Sequence, residues 1–190
     1  MQKQKGFTLV ELMVAVAVLA ILTALGAPSF VQLVQSSLMA SNVNTFLADM
    51  RYTRSESIRR GGGVVMCRSD DPEEANPTCG TGSGPGGNGW VSGWIIFHDL
   101  NNNGTKTAAE PLLRVQAATT SMDSIVEAGG SSSTRFRFTA TGRMLNLNSA
   151  RTLQFGGENY PNDVQRVVCV NLGGRARIAG NGNASCASDQ

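Results

Sequence analysis

Apolar residues fall into three regimes along the chain. From Phe7 to Ala27 the sequence reads FTLVELMVAVAVLAILTALGA, and Glu11 is the sole ionisable side chain in it. About 20 apolar residues are what one bilayer crossing requires, so a membrane-spanning helix is expected over 7–27. From 28 to 60 the apolar residues thin out. Phe30, Leu33, Val34, Leu38, Val43, Phe46, Leu47, Met50 and Ile58 recur at roughly helical spacing. Gln32, Gln35, Ser41, Asn44, Asp49, Arg51 and Arg54 fill the other face. This predicts an amphipathic continuation of the same helix, with Pro28 as a candidate kink. Gly61-Gly62-Gly63 ends it, after Arg59 and Arg60, whose charge suits the negative end of a helix. From Phe7 to Arg60 such a helix is about 80 Å long. Half would protrude from a head and half would pack under a sheet.

Past the glycines the period shortens. Strand-like runs are read at 64–68, 90–97, 112–117, 124–126, 135–139, 152–155, 165–171 and 175–178, separated by Gly, Asn, Asp and Ser clusters. RFRFTA alternates strictly, which predicts one wet and one buried face. NLGGRARI predicts a tight hairpin turning at Gly173-Gly174. The expected fold class is therefore α+β: a long N-terminal helix packed on an antiparallel β head occupying 61–190.

Composition agrees with a loop-rich β head. Gly numbers 22, aromatics are 6% and hydrophobic residues 41%. The formal charge of +2 excludes a strongly basic binder, and Lys3 and Lys5 supply the excess. The charge is uneven, however. From Arg135 onward there are seven Arg against Glu158, Asp163 and Asp189.

Four cysteines form two sequence-local pairs, Cys67 with Cys79 and Cys169 with Cys186. None has C-x-x-C spacing, so zinc and thioredoxin chemistry are not indicated. An even count in an exported chain favours two disulfides. Of the three connectivities the local one is favoured, because each pair closes a short Gly-, Pro-, Asn- and Asp-rich loop. Four free buried thiols are the alternative.

An ordinary secretory signal is cut after its apolar stretch. Here no A-x-A site follows, and only MQKQKG precedes. The short basic leader, Gly6, Phe7 and a span with Glu11 near its start resemble the type IV prepilin signature. The resemblance implies a leader at 1–6, cleavage by prepilin peptidase between Gly6 and Phe7, methylation of the new Phe7 amine, and retention of the span. It implies residence in the bacterial inner membrane, head in the periplasm, until an assembly platform passes the subunit into a filament. A carboxylate in hydrocarbon is costly and marks function. Glu11 is read as neutralising the Phe7 amine of a neighbouring subunit; the other reading has it snorkel to the headgroups.

The long helix, the strand-rich head and the strings GWIIFHDLNNNG and VVCVNLGGRARI resemble the family of type II secretion pseudopilin H and the minor pilin FimT. That resemblance implies other pilins or pseudopilins as partners. It leaves two functions open: a minor pilin of a type IV pilus, or a pseudopilin of a secretion machine with no nucleic-acid role. A membrane-tethered enzyme is a third class. His98 is the sole histidine and no acid–base constellation surrounds it, so no catalytic residue and no cofactor are expected.

Four head features carry candidate chemistry. Asp99, Asn101, Asn103, Gly104 and Glu110 match a calcium-loop pattern, yet a strand precedes it and Asn favours turns for its own reasons; a hairpin loop without metal is expected. G-x-G-x-x-G matches in 82–89 lack a strand–helix context and read as a surface excursion. Trp90 and Trp94, read on one strand face, are expected in the core. Arg175 and Arg177 share a strand face after Gly174. This G-R-x-R string resembles the DNA-binding segment of FimT-type pilins, which implies double-stranded DNA as a partner, with Arg166, Arg143, Arg135 and Arg137 able to enlarge the patch. The other reading is an ordinary solvated face with salt bridges to Glu158 or Asp163.

Overall fold

The structure is a computed structural model. It describes residues 6–128, 134–145 and 148–186, with the backbone alone at Ala27 and Pro28. Residues 1–5, including Lys3 and Lys5 of the expected leader, lie outside the described residues, as does Asp189. Helix α1 spans Leu9–Arg60 and is assigned without a break through Pro28. Eight strands follow among the described residues: β1 (Val64–Arg68), β2 (Trp94–His98), β3 (Leu112–Gln116), β4 (Ser124–Glu127), β5 (Arg135–Phe138), β6 (Arg151–Gly156), β7 (Arg166–Val170) and β8 (Ala176–Gly180). They form two four-stranded sheets, ordered β3-β2-β1-β5 and β4-β6-β7-β8, with every pairing antiparallel.

The chain divides into two compact units, Met1–Ser37 and Leu38–Gln190. In the first, every described side chain from Gly6 to Val34 is exposed. By length and composition, α1 contains a stretch able to cross a membrane.

In the second unit α1 buries Met39, Val43, Phe46, Leu47, Met50, Thr53 and Ser57. The stripe is shifted from the expected one. Leu38 is partly exposed and Ile58 is 52% exposed, while two hydroxyl residues take their place inside. Both are satisfied locally. Thr53 Oγ1 donates to the Asp49 carbonyl, and Ser57 Oγ lies 2.9 Å from the carbonyls of Phe138 and Thr139. Phe46 is the centre of the core. Its ring meets Trp90, Trp94 and Phe155 edge-on at 5.5–5.6 Å, and Phe136 at 6.3 Å. Inward residues of both sheets, Val64, Met66, Ile96, Ile125, Leu153 and Val168 among them, close around it. Outer faces carry two smaller apolar clusters, one of Val65, Cys67, Ile95 and Phe97, the other of Val167, Cys169 and Cys186.

The helix ends as its glycines require. Gly62 N–H donates to the Ser57 carbonyl at 2.8 Å and Gly61 N–H to that of Ile58, with Gly61 at φ 79°. This is the Schellman arrangement, which needs a left-handed residue after the last turn.

Three expectations change. Asp49, read on the wet helix face, is 2% exposed. Its Oδ2 accepts the Trp94 indole N–H at 2.8 Å and its Oδ1 the Arg114 guanidinium, so a polar helix residue is drawn inside by partners 45 and 65 residues away. Trp90 does not share a strand with Trp94. It sits in a 3-10 turn at Trp90–Ser92, although both rings are buried as expected. Glycines in unusual conformations flank that turn (Gly89 φ 70°, Gly93 φ 101°), which delays the strand to Trp94. His98, expected in a loop, is the last residue of β2 and pairs with Val64.

Candidate functional site

The N-terminal start of α1 is built by Thr8 and Glu11. Thr8 N–H and Thr8 Oγ1 each donate to Glu11 Oε2 at 2.8 Å, and Glu11 N–H donates back to Thr8 Oγ1 at 3.3 Å. This is a capping box, in which Thr at the N-cap and Glu three residues on satisfy each other's orphan groups. Thr8 escaped the sequence reading, although the T-x-x-E signal is present. Phe7 is 89% exposed beside it, and Gly6 is exposed too. In lipid an unsatisfied backbone N–H is costly and an unsatisfied carboxylate more so, and this arrangement settles part of both demands within one chain. From Leu12 to Gly26 the exposed side chains are apolar but for Thr23, whose hydroxyl donates to the Leu19 and Ala20 carbonyls.

The basic face is assembled by close backbone contact. Turn Asn171–Gly174 joins β7 to β8, with Gly174 N–H on the Asn171 carbonyl and Arg175 N–H on the Asn171 side chain. Met144 N–H donates to the Leu172 carbonyl at 3.0 Å, which lays 142–144 along this turn. Gly174, at φ 75°, presses on Gly142 so tightly that a Cβ there would stand 2.1 Å from the Gly142 carbonyl oxygen. That same oxygen accepts Arg54 Nε at 3.0 Å. Exposed Arg143 and exposed Arg175 are thus the chain neighbours of the Gly142–Gly174 contact that Arg54 joins, and exposed Arg177 follows on β8 opposite Cys169. The left-handed conformation of Gly174 is therefore required by its packing on Gly142 within the head.

The other arginines are placed elsewhere. Arg166 donates to the carbonyls of Asp163, Val164 and Gln165 at the opposite end of β7. Arg135 reaches the Gly104 carbonyl; Arg137 reaches the Asn102 carbonyl and Asp99. Neither joins the patch, because β5 belongs to the other sheet and its alternation points both arginines at the β2–β3 loop.

That loop is the calcium-like string. Asp99 Oδ1 and Oδ2 accept the N–H groups of Asn103 and Gly104, and Glu110 accepts those of Leu100 and Thr107. Burial pushes the Glu110 carboxyl up, but hydrogen bonds from Thr107 and Leu100 outweigh it and hold it below its ordinary value. The carboxylates are turned onto the backbone as turn formers. No group of three metal-ligating side chains gathers among the described residues.

The Gly-rich excursion has a purpose that its motif hid. Arg68 is 1% exposed and its guanidinium pairs with Asp70, Ser92 Oγ and the Thr81 carbonyl. A Cβ at Gly80 or Gly84 would meet that guanidinium at 2.5 Å or 3.0 Å. The loop wraps an arginine, and no helix N-terminus opens behind it. Its base is tied by a disulfide between Cys67 and Cys79; Cys169 and Cys186 form the second. Each bond lies on the outer face of one sheet.

Comparison with known proteins follows the same division. The family model described as Type II transport protein GspH matches residues 42–174, and a prokaryotic N-terminal methylation motif matches residues 1–27. Prepilin peptidase-dependent protein D of Escherichia coli is 34% identical over 62 residues, 33% of this chain and 42% of that protein. The type IV narrow pilus major component PilA5 of Thermus thermophilus is 34% identical over 82 residues, 43% of this chain and 67% of that one. Thus the chain spans less than half of the first of these relatives. Two crystal forms of the Pseudomonas aeruginosa type IV minor pilin FimU superpose with TM-scores of 0.52 and 0.54 at 19% identity. They cover 77% and 78% of this chain and 97% and 92% of theirs, a likeness of fold.

Proposed function

From the premise that this chain belongs to the type II transport protein GspH family, we propose that it is a minor subunit of a type IV pilus, built into the filament through the first half of α1. Family and fold are those of structural pilins and pseudopilins. One observation carries the reading: an exposed aliphatic helix whose single carboxylate is held at its very start by Thr8. An aliphatic surface that size is stable in lipid or against other helices and nowhere else. Cleavage after Gly6 frees an amine on Phe7, four residues before Glu11, so the charge of one subunit can be met by the amine of the next. The N-terminal methylation motif over 1–27 supports that processing, and the pilus relative and the minor-pilin fold favour a pilus over a secretion machine. In this reading the head stands in the periplasm and prepilin peptidase and an inner-membrane assembly platform act on the chain before assembly.

Glu11→Gln tests it. Gln also serves in a capping box, so helix start and membrane insertion are retained while the charge is lost. Filament incorporation should fall to background; normal incorporation would refute the reading. A deletion strain assayed for pili and for protein secretion separates the two machines.

A second reading rests on the gathering of Arg143 with Arg175 and Arg177. Guanidinium forks suit phosphate oxygens, and this exposed face can lie along the backbone of duplex DNA without reading bases. Binding should weaken with salt by about 0.9 in log–log slope for each arginine engaged. Arg175→Ala with Arg177→Ala in the full chain should abolish a gel shift that the wild type gives.

A further inference from the structure

The charges of the head sort by end. Asn42 Nδ2 on Ser121 Oγ marks the end where α1 enters the head; Ser57 on Phe138 and Thr139, with Arg54 on Gly142, marks the end where it stops. Strand β1 runs the other way, from Val64 beside Phe138 to Arg68 beside Trp94. At the stop end lie Arg54, Arg143, Arg175 and Arg177, and Arg59 and Arg60 share the one carboxylate of Glu56. Asp99 and Glu110 add little negative field there, since both are buried against backbone N–H groups.

The entry end has the opposite sign. Loop 70–74 follows β1 and exposes Asp71, Glu73 and Glu74; its Pro72 is seated where Gly93 meets the Gln116 carbonyl at the end of β3. Exposed Asp123 and Glu158 lie on the adjoining turn, which Tyr160 ties to Ser121 through its hydroxyl. The two basic groups at this end are already engaged: Arg68 is buried with Asp70, and Arg166 is on main-chain carbonyls.

Opposite signs at opposite ends of one rigid head cannot neutralise each other within a molecule. They are complementary between molecules. We propose that the arginine end of one head receives the acidic end of a second copy of this chain, loop 70–74 against the Arg143–Arg175 face. The contact is heterologous, head to tail, and joins copies of this subunit where two stand in succession. This rests on the filament reading and adds to it a head contact, independent of the apolar helix, that sets which end of one subunit meets which end of the next. Contacts of this kind govern register and partner choice more than raw affinity, and they weaken with salt.

Charge swapping tests it on the full chain in detergent, with self-association read by sedimentation at low salt. The wild type should associate. Glu73→Arg with Glu74→Arg sets basic side chains of loop 70–74 against the arginine face, and Arg143→Glu with Arg175→Glu sets acidic side chains of that face against the loop. Each pair should weaken self-association about tenfold or more through like-charge contact. An equimolar mixture of the two variants should associate again, and the fourfold variant, whose ends are exchanged, should regain wild-type association. A wild type that stays monomeric, or double variants that associate unchanged, overturns the proposal. So does a fourfold variant that keeps native far-ultraviolet dichroism yet stays apart. Glu11→Gln should associate normally here while failing to enter filaments, so failure of the assembly reading shows in a different assay. Reversal of Glu73 and Glu74 should leave the DNA gel shift intact, which separates DNA from a second copy as the partner of the arginines.

Discussion

Asp49 on α1 accepts the indole N–H of Trp94 on β2 at 2.8 Å, inside the core of the head. Its second oxygen holds Arg114, whose guanidinium lies 4.1 Å above the Tyr52 ring. Asp49→Leu leaves the indole unpaired, while half-exposed Arg114 can turn to water. The expected loss is therefore that of one buried donor, about 1–3 kcal/mol. Asp49→Asn keeps an acceptor and should cost less. Both tryptophans of the chain are buried in the head, so denaturant unfolding followed by their fluorescence reports this directly.

Phe46 touches four aromatic rings from three directions. Truncation to Ala opens a cavity that neither sheet can close, and should cost about 3–5 kcal/mol by the same fluorescence readout. Ile58→Ala, on the exposed side of the helix, should cost far less.

Gly174→Ala introduces a Cβ at φ 75° and 2.1 Å from a carbonyl oxygen. The turn must shift, so the head should be destabilised by about 2 kcal/mol or more. Loss of DNA binding in this variant would thus report a displaced Arg143–Arg175 face. The check is unfolding of the variant beside that of Arg175→Ala, which should be near wild type.

Glu56 gives a pH dependence with a defined sign. Hydrogen bonds from Arg59, then Arg60, hold its carboxyl down from 4.5 to about 2. A carboxyl lowered by folding stabilises above its ordinary value, and that contribution fades as pH falls from about 4.5 to about 2. Arg59 is largely exposed, so the effect should stay under about 1 kcal/mol and shrink with salt. Protection of the Gly61 and Gly62 amides, taken relative to their intrinsic exchange rates, should fall as pH drops through this window, and Glu56→Gln should remove that response.

Each disulfide closes a short loop, of 12 residues from Cys67 to Cys79 and 17 from Cys169 to Cys186. Loops of that length are worth about 3 kcal/mol each in the chain-entropy account. Cys67→Ser with Cys79→Ser should lower stability by roughly that amount and free loop 70–89 to proteolysis first, before the core opens.

Local signals carried much of this fold. The apolar run, the three glycines after Arg60, the RFRF alternation and the NLGG turn are each decided within a few residues, and the sequence reading of them agrees with the structure. What was missed depends on distant partners. Asp49 looks like a surface residue until Trp94 arrives, and Gly84 reads as part of a surface excursion until Arg68 is found packed against it. Among the arginines, the sequence shows Arg175 and Arg177 two residues apart, while the Met144–Leu172 contact that brings 142–144 beside their turn is a long-range pairing that no local pattern reveals. Thr8 is the exception, a local signal overlooked because attention went to the charge it holds.

The helix that enters the head at Leu38 is also the member around which both sheets are packed. A tensile load carried along α1 is therefore met first by Met39, Val43 and Phe46 in their buried seats, not by a surface joint or a linker. Under such a pull the buried half of the helix and the core of the head yield together, so a head weakened at Phe46 gives way at a lower load.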